Sequence, residues 1–281
     1  MAHLPLALLT RLVRIISMSA MSTGQLRAPG TTAPLRHALS KVPEVTLYFW
    51  VTKILTTGMG ETTSDFLATH LDPVIAVALG GLAFAAALLL QFRARRYTAW
   101  IYWTAVVMVS VFGTMAADVL HVALGVPYAV STAFYAVVLA AVLVAWYRVE
   151  RTLSIHSIHT RRREAFYWAT VMATFALGTA AGDWTAVTLH LGYLTSAVAF
   201  TVLIAVPAAA HRWLRMNPIL AFWFAYIVTR PLGASFADWM AVSHARGGLG
   251  WGTGPVSLAW AALILGVVAF LAVSRKDVAT D

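Results

Sequence analysis

Four aspartates occupy one repeated position in a chain too apolar to place them cheaply: Asp65, Asp118, Asp183 and Asp238. Each closes the same pattern of an aromatic residue, a Trp, nine residues, a Gly, four residues and the Asp. The copies are Phe49-Trp50…Gly60…Asp65, Tyr102-Trp103…Gly113…Asp118, Tyr167-Trp168…Gly178…Asp183 and Phe222-Trp223…Gly233…Asp238. A carboxylate inside a bilayer is expensive, and recurrence at one repeat position asks for a functional reason. Glu61, four residues before Asp65, adds a fifth carboxylate.

Carboxylates crowded together raise one another's proton affinity, so they do not all ionise unless a cation sits among them. Lys53 and Arg230, in the same apolar stretches, are candidates to compensate charge as ion-pair partners. Five acids against these two bases leave a net negative centre. Carboxylates with the hydroxyls of Thr57, Thr114 and Thr179 form a hard-oxygen set, which suits Mg²⁺, Ca²⁺ or Mn²⁺. His121, three residues after Asp118 on the same helix face, would add a nitrogen and shift the preference to Mn²⁺, Co²⁺ or Ni²⁺. The chain has no Cys, which excludes disulfides, thiolate metal sites and cysteine catalysis.

The elements that must position these groups are helices. At 100° per residue, Lys53, Thr57, Glu61 and Asp65 form one ridge. Its equivalents are Val106, Ser110, Thr114, Asp118; Val171, Phe175, Thr179, Asp183; and Tyr226, Arg230, Ala234, Asp238. A lipid-facing Asp is unfavourable, so the four ridges are expected to face one another. Each motif Gly is followed four residues on by a second small residue: Gly60/Ser64, Gly113/Ala117, Gly178/Gly182 and Gly233/Ala237. That spacing lets helix backbones approach closely in lipid, so these glycines are expected to pack helices. Pro231 is expected to kink its helix. Trp50, Trp103, Trp168 and Trp223 fall about 9 Å from one end of their helices, which suggests interfacial anchoring or packing, with lining of a pathway as the alternative.

The whole chain reads as an all-α integral membrane protein. Of its 281 residues, 60% are hydrophobic and 11% charged, and the mean hydropathy is +0.77. A soluble domain carries roughly 25% charged residues. Four repeats, 42–96, 97–151, 160–214 and 215–277, each hold two apolar spans. The first spans are 44–70, 98–122, 164–190 and 218–243; the second are 74–92, 128–147, 192–210 and 256–274. Eight transmembrane helices are therefore expected, as parallel two-helix repeats pseudo-symmetric about the membrane normal.

Arginines crowd the loops between repeats, including Arg93, Arg95, Arg96, Arg148, Arg151, Arg161 to Arg163, Arg212 and Arg215. Loops within repeats hold Arg246 and no Lys. The positive-inside rule then places both termini in the cytoplasm. The net charge of +9 reflects this topology rather than a nucleic-acid partner. Residues 1–41 form an N-terminal extension, with a surface-lying amphipathic segment over 4–20 and a linker over 23–39; 278–281 form a short tail.

The fourfold Trp–Gly–Asp unit, with Lys-Val-Pro-Glu-Val-Thr at 41–46 and Gly-Glu-Thr-Thr-Ser-Asp at 60–65, resembles a bacterial family of multi-pass membrane proteins. That family is built from four tandem copies of a short repeat of unknown function. The resemblance covers 42–277. It implies the topology and the bacterial inner membrane, and supplies no activity.

From the residues themselves, the expected function is non-enzymatic: a transporter of a small cation, divalent or proton-coupled, through a carboxylate-lined site between the odd-numbered helices. No cofactor is required beyond a divalent metal ion as ligand or cargo. Partners are the lipid bilayer, the cation or proton, and a second copy in a homo-oligomer. Two alternatives stand beside it. One is an intramembrane haem or quinone redox protein using His121. The other is a receptor or scaffold in which the Asp residues only lock the bundle.

Overall fold

A computed structural model describes residues 40–278. The surface-lying segment expected over 4–20 and the linker over 23–39 lie outside the described residues. All regular structure among the described residues is helical. The helices are α1 (Leu47–His70), α2 (Pro73–Arg93), α3 (Ala99–Asp118), α4 (Tyr128–Glu150), α5 (Arg161–Asp183), α6 (Gly192–Leu203), α7 (Ala205–Leu214), α8 (Pro218–Ala241) and α9 (Thr253–Ser274). α6 and α7 are two parts of one rod, interrupted at Ile204.

Local chemistry sets the helix starts. The Thr46 hydroxyl accepts from the Phe49 N–H at the head of α1. The Asp72 carboxylate accepts from the Val74 and Ile75 N–H groups, with Pro73 in the first helical position of α2. Asn217 followed by Pro218 repeats that device at α8. Each supplies an acceptor for donors that a helix start leaves unpaired.

The first helix of each repeat builds an inner ring. α1 packs on α3, α3 on α5, α5 on α8, and α8 closes on α1. The second helix of each repeat leans onto the first helix of the next: α2 on α3, α4 on α5, α6 on α8 and α9 on α1. Every repeat thus makes the same head-to-tail contact, and the fourth makes it with the first, as in a ring that closes.

Two sets of motif residues make the closure. The glycines are the first. A methyl group added at Gly60 would overlap Ser110, at Gly113 the Phe175 side chain, at Gly178 Arg230, and at Gly233 Thr57. Those four partners occupy one ridge position, taken each time from the next repeat. Helix packing at the motif glycines, read from their spacing, therefore has a specific partner in each case.

The aromatics are the second set. Phe49 meets Trp103 at 5.8 Å between ring centres, Tyr102 meets Trp168 at 5.7 Å, Tyr167 meets Trp223 at 6.3 Å and Phe222 meets Trp50 at 5.6 Å. The Tyr102 and Tyr167 hydroxyls lie 2.5 Å apart within this collar. Trp50, Trp103, Trp168 and Trp223 are 1%, 1%, 2% and 4% exposed. They are core residues, so the interfacial-anchor reading is corrected and the packing reading stands. The physical reason is the ring itself: all four pack against the aromatic of the preceding repeat rather than face lipid.

Residues 40–46 cross the collar end of the ring. Val42 and Val45 are buried there. The Lys41 ammonium donates to Glu164 of α5 at 2.5 Å, and Gln91 of α2 donates to the other Glu164 oxygen at 3.0 Å. The Glu44 N–H donates to the Asp277 carbonyl at 2.9 Å, while Tyr97 donates to the Asp277 carboxylate.

The outer helices are mostly exposed and carry bare apolar side chains such as Leu82 and Leu258. Six rods are long and apolar enough to cross a membrane: α2, α3, α4, α6 with α7, α8 and α9. α1, with Lys53, Glu61 and Asp65, and α5, which opens on Arg161-Arg162-Arg163-Glu164, are the two outside that set. α8 runs unbroken through Pro231, which packs against Gly178 and Gly182 of α5.

Candidate functional site: a carboxylate crown over a buried arginine

Fifteen residues after each motif Trp, about 22 Å along the helices, the ring ends in its four aspartates. Arg230 organises the space between collar and aspartates. Its side chain is fully buried and extends from α8 to the three other inner helices. Its Nη2 lies 2.5 Å from a Glu61 carboxylate oxygen, 2.5 Å from the Thr114 hydroxyl and 2.6 Å from the Thr179 hydroxyl. Those acceptors are the third ridge position of repeats one, two and three, and the fourth repeat has Ala234 there. One guanidinium nitrogen carries two hydrogens, so the three acceptors share them. A charged, nearly dry hydrogen bond such as Arg230–Glu61 is costly to break from one side.

Just beyond this hub stands the crown. Glu61, Asp183 and Asp238 each bring a carboxylate oxygen within 4.8 Å of the others, close enough to share one ion. Asp65 and Asp118 stand around this triad, in electrostatic range of Glu61. None of the four aspartate side chains has a hydrogen-bond or ion-pair partner among the described residues. The aspartates are thus not equivalent: Asp183 and Asp238 join Glu61, and Asp65 and Asp118 flank them. Equal spacing in the sequence hid this, because the asymmetry comes from Glu61, which only the first repeat has.

Several expected roles are corrected by the geometry. The Thr114 and Thr179 hydroxyls donate to the Ser110 and Phe175 carbonyls and accept from Arg230, so they hold the arginine rather than an ion. Thr57 donates to the Ile54 carbonyl at 2.7 Å. Among the described residues Lys53 pairs with no carboxylate. Its ammonium lies over the rings of Phe175 and Tyr226, 4.2 and 4.3 Å from their centres. Its ridge places it two turns nearer the collar than Glu61. Of these two cations, Arg230 is the one that forms an ion pair among the described residues, with Glu61.

His121 is not brought to the triad. Its Nδ1–H donates to the Val126 carbonyl at 2.7 Å, and its ring stacks on Tyr128. His70 and His244 likewise bond backbone carbonyls, of Phe66 and Gly248. These histidines shape the turns beyond the crown. Without His121 the triad is purely carboxylate, which favours hard cations.

Two features near the crown leave little trace in the sequence. α3 and α5 each pass into a π-helical turn directly after the Asp, at Val119–Ala123 and Trp184–Thr188. Such turns are frequent at functional sites, and here they re-aim the chain after Asp118 and Asp183. Arg246 is the second feature. It donates to the Tyr193 hydroxyl at 2.5 Å and lies in electrostatic range of Asp65 and Asp183. Its sequence signal was its status as the lone basic residue in the loops within repeats.

Fold and site together define a class: an all-helical ring of four two-helix repeats with an acidic centre. The chain belongs to the family described as Repeat of Unknown Function (DUF347), whose repeat matches residues 48–97, 101–152, 166–217 and 221–277. No curated protein and no solved structure matches the chain.

Proposed function

We propose that this chain is an eight-span membrane transporter of a small hard cation, with α1 and α5 completing the six more apolar spans. A ring cannot close without α1 and α5, and both are packed between inner helices that are themselves apolar enough to span. The Arg-rich collar end faces the cytoplasm by the positive-inside rule, and the crown faces the other side. A bacterial inner membrane is the setting that this charge pattern and the family resemblance favour.

The observation that carries the reading is the Glu61–Asp183–Asp238 triad, three carboxylates within reach of one ion at the centre of a closed helical ring. Such a group is stable in an apolar surround only when protonated or occupied by a cation. All-oxygen ligation selects a divalent ion of the Mg²⁺, Ca²⁺ or Mn²⁺ type. Protons compete for the same oxygens, so ion entry expels protons and the two are coupled. The dry aromatic collar suits a carrier that opens each side in turn better than a continuous pore.

Reconstituted into liposomes, the protein should move Mn²⁺ or Mg²⁺ down a gradient. Asp183→Asn and Asp238→Asn should each lower the flux about tenfold or more while the protein still inserts. Wild-type flux in both variants would overturn the proposal.

A further inference from the structure

Between collar and crown lies a layer rich in cations. Lys53 is 1% exposed and Arg230 is fully buried. Arg230 spends only Nη2 on Glu61, Thr114 and Thr179; its Nε and Nη1 have no partner, nor has the Lys53 Nζ, among the described residues. Both cations face one ring, Phe175, with the Lys53 Nζ at 4.2 Å and the Arg230 guanidinium carbon at 5.6 Å from its centre. They are also close enough to repel one another.

Buried N–H donors left without acceptors are rare in folded proteins and costly. Here every unmet group on the pair is a donor. Ridge positions beside Lys53 in repeats two and three are Val106 and Val171, which offer no acceptor. The nearest hydroxyls bond neither cation: Thr57 donates to the Ile54 carbonyl, and the Ser110 hydroxyl has no partner among the described residues. Charge leads the same way. Glu61 is the one carboxylate bonded to either cation among the described residues, and it bonds Arg230 alone. Two aromatic faces lie against the Lys53 ammonium, those of Phe175 and Tyr226.

We propose that Lys53 and the Nε/Nη1 edge of Arg230 hold a small monovalent anion of halide type. A small anion supplies the acceptor that the unmet donors of both cations lack. The flanking Phe175, Val106 and Val171 offer no donors for the extra oxygens of a polyatomic anion. This site is separate from the crown, lies on the collar side of Arg230, and does not depend on the cation proposal.

The test uses the full-length protein, purified throughout in sodium gluconate and titrated calorimetrically with sodium chloride at constant ionic strength. Wild type should bind chloride saturably, about one per chain, and unfold at a higher temperature in chloride than in gluconate. Lys53→Met should weaken chloride binding about tenfold or more and abolish the thermal shift. In gluconate it should melt no lower than wild type, because an uncompensated buried charge has been removed. Lys53→Gln, which keeps a polar donor, should bind more weakly than wild type and serves if the Met variant fails to fold. No saturable binding by wild type up to about 100 mM chloride, or wild-type affinity in both variants, would overturn the proposal. Asp238→Asn should leave chloride binding intact, which separates this site from the crown.

Discussion

The collar and the crown are built from the same four helices and the same four motif copies, yet they use the repeat in opposite ways. In the collar the copies are chemically alike. Each aromatic seats against the next Trp, and the ring closes with four similar contacts, from 5.6 to 6.3 Å. In the crown the Asp is common to all four, but what stands beneath it differs: Glu61, Thr114, Thr179 and Ala234. Repetition gives a closed frame at one end. Departure from it gives a directional charged centre at the other, where one arginine from the fourth repeat ties together the first three. Symmetric parts are expected to answer to stability, and asymmetric parts to ligand binding.

The largest expected effect is on the collar side. Trp103→Ala removes a side chain only 1% exposed and should cost about 3–5 kcal/mol, read as a large fall in the thermal unfolding midpoint in detergent. Gly113→Leu, which would drive a side chain into Phe175, should open the α3–α5 seam and cost a further few kcal/mol, of the order of 1–3. At the boundary between the regions, Glu61→Ala leaves Arg230 with no carboxylate partner; the loss should approach about 3 kcal/mol, and cation binding should fail with it. Crown variants sharpen the contrast. Asp238→Asn should shift stability by no more than about 1 kcal/mol while lowering divalent-ion affinity about tenfold or more. The smallest effect belongs to the outer surface: Val137→Ala, on a side chain 68% exposed, should stay within about 0.5 kcal/mol. A collar variant that kept full stability, or a crown variant that lost it while keeping affinity, would break the comparison.

The legible part of the architecture was the part that repeats. Periodic apolar spans located each helix to within a few residues, and the invariant Trp–Gly–Asp spacing placed its residues on inner helices. The partners in space were not legible. Gly60 and Ser110 are fifty residues apart, and nothing local says that the small residue of one repeat receives the ridge residue of the next. Trp50 and its equivalents looked interfacial because a position near a helix end is ambiguous until the neighbouring helix is known. Lys53 shares a ridge with Glu61, which by sequence points it to the carboxylates. Two helical turns separate them, and the aromatic rings of Phe175 and Tyr226 intercept the ammonium. His121 shared a face with Asp118 on an ideal helix, but the π turn that begins at Val119 rotates it away toward Val126.

One measurement bears on the central claim most directly: calorimetric titration of the metal-free protein with Mn²⁺, wild type against Asp183→Asn and Asp238→Asn. The account predicts about one ion per chain for wild type, with proton release on binding because the oxygens exchange protons for metal, and a loss of about tenfold or more in affinity for each variant without a matching loss of stability. No saturable binding by wild type, or unchanged affinity in both variants, would contradict it.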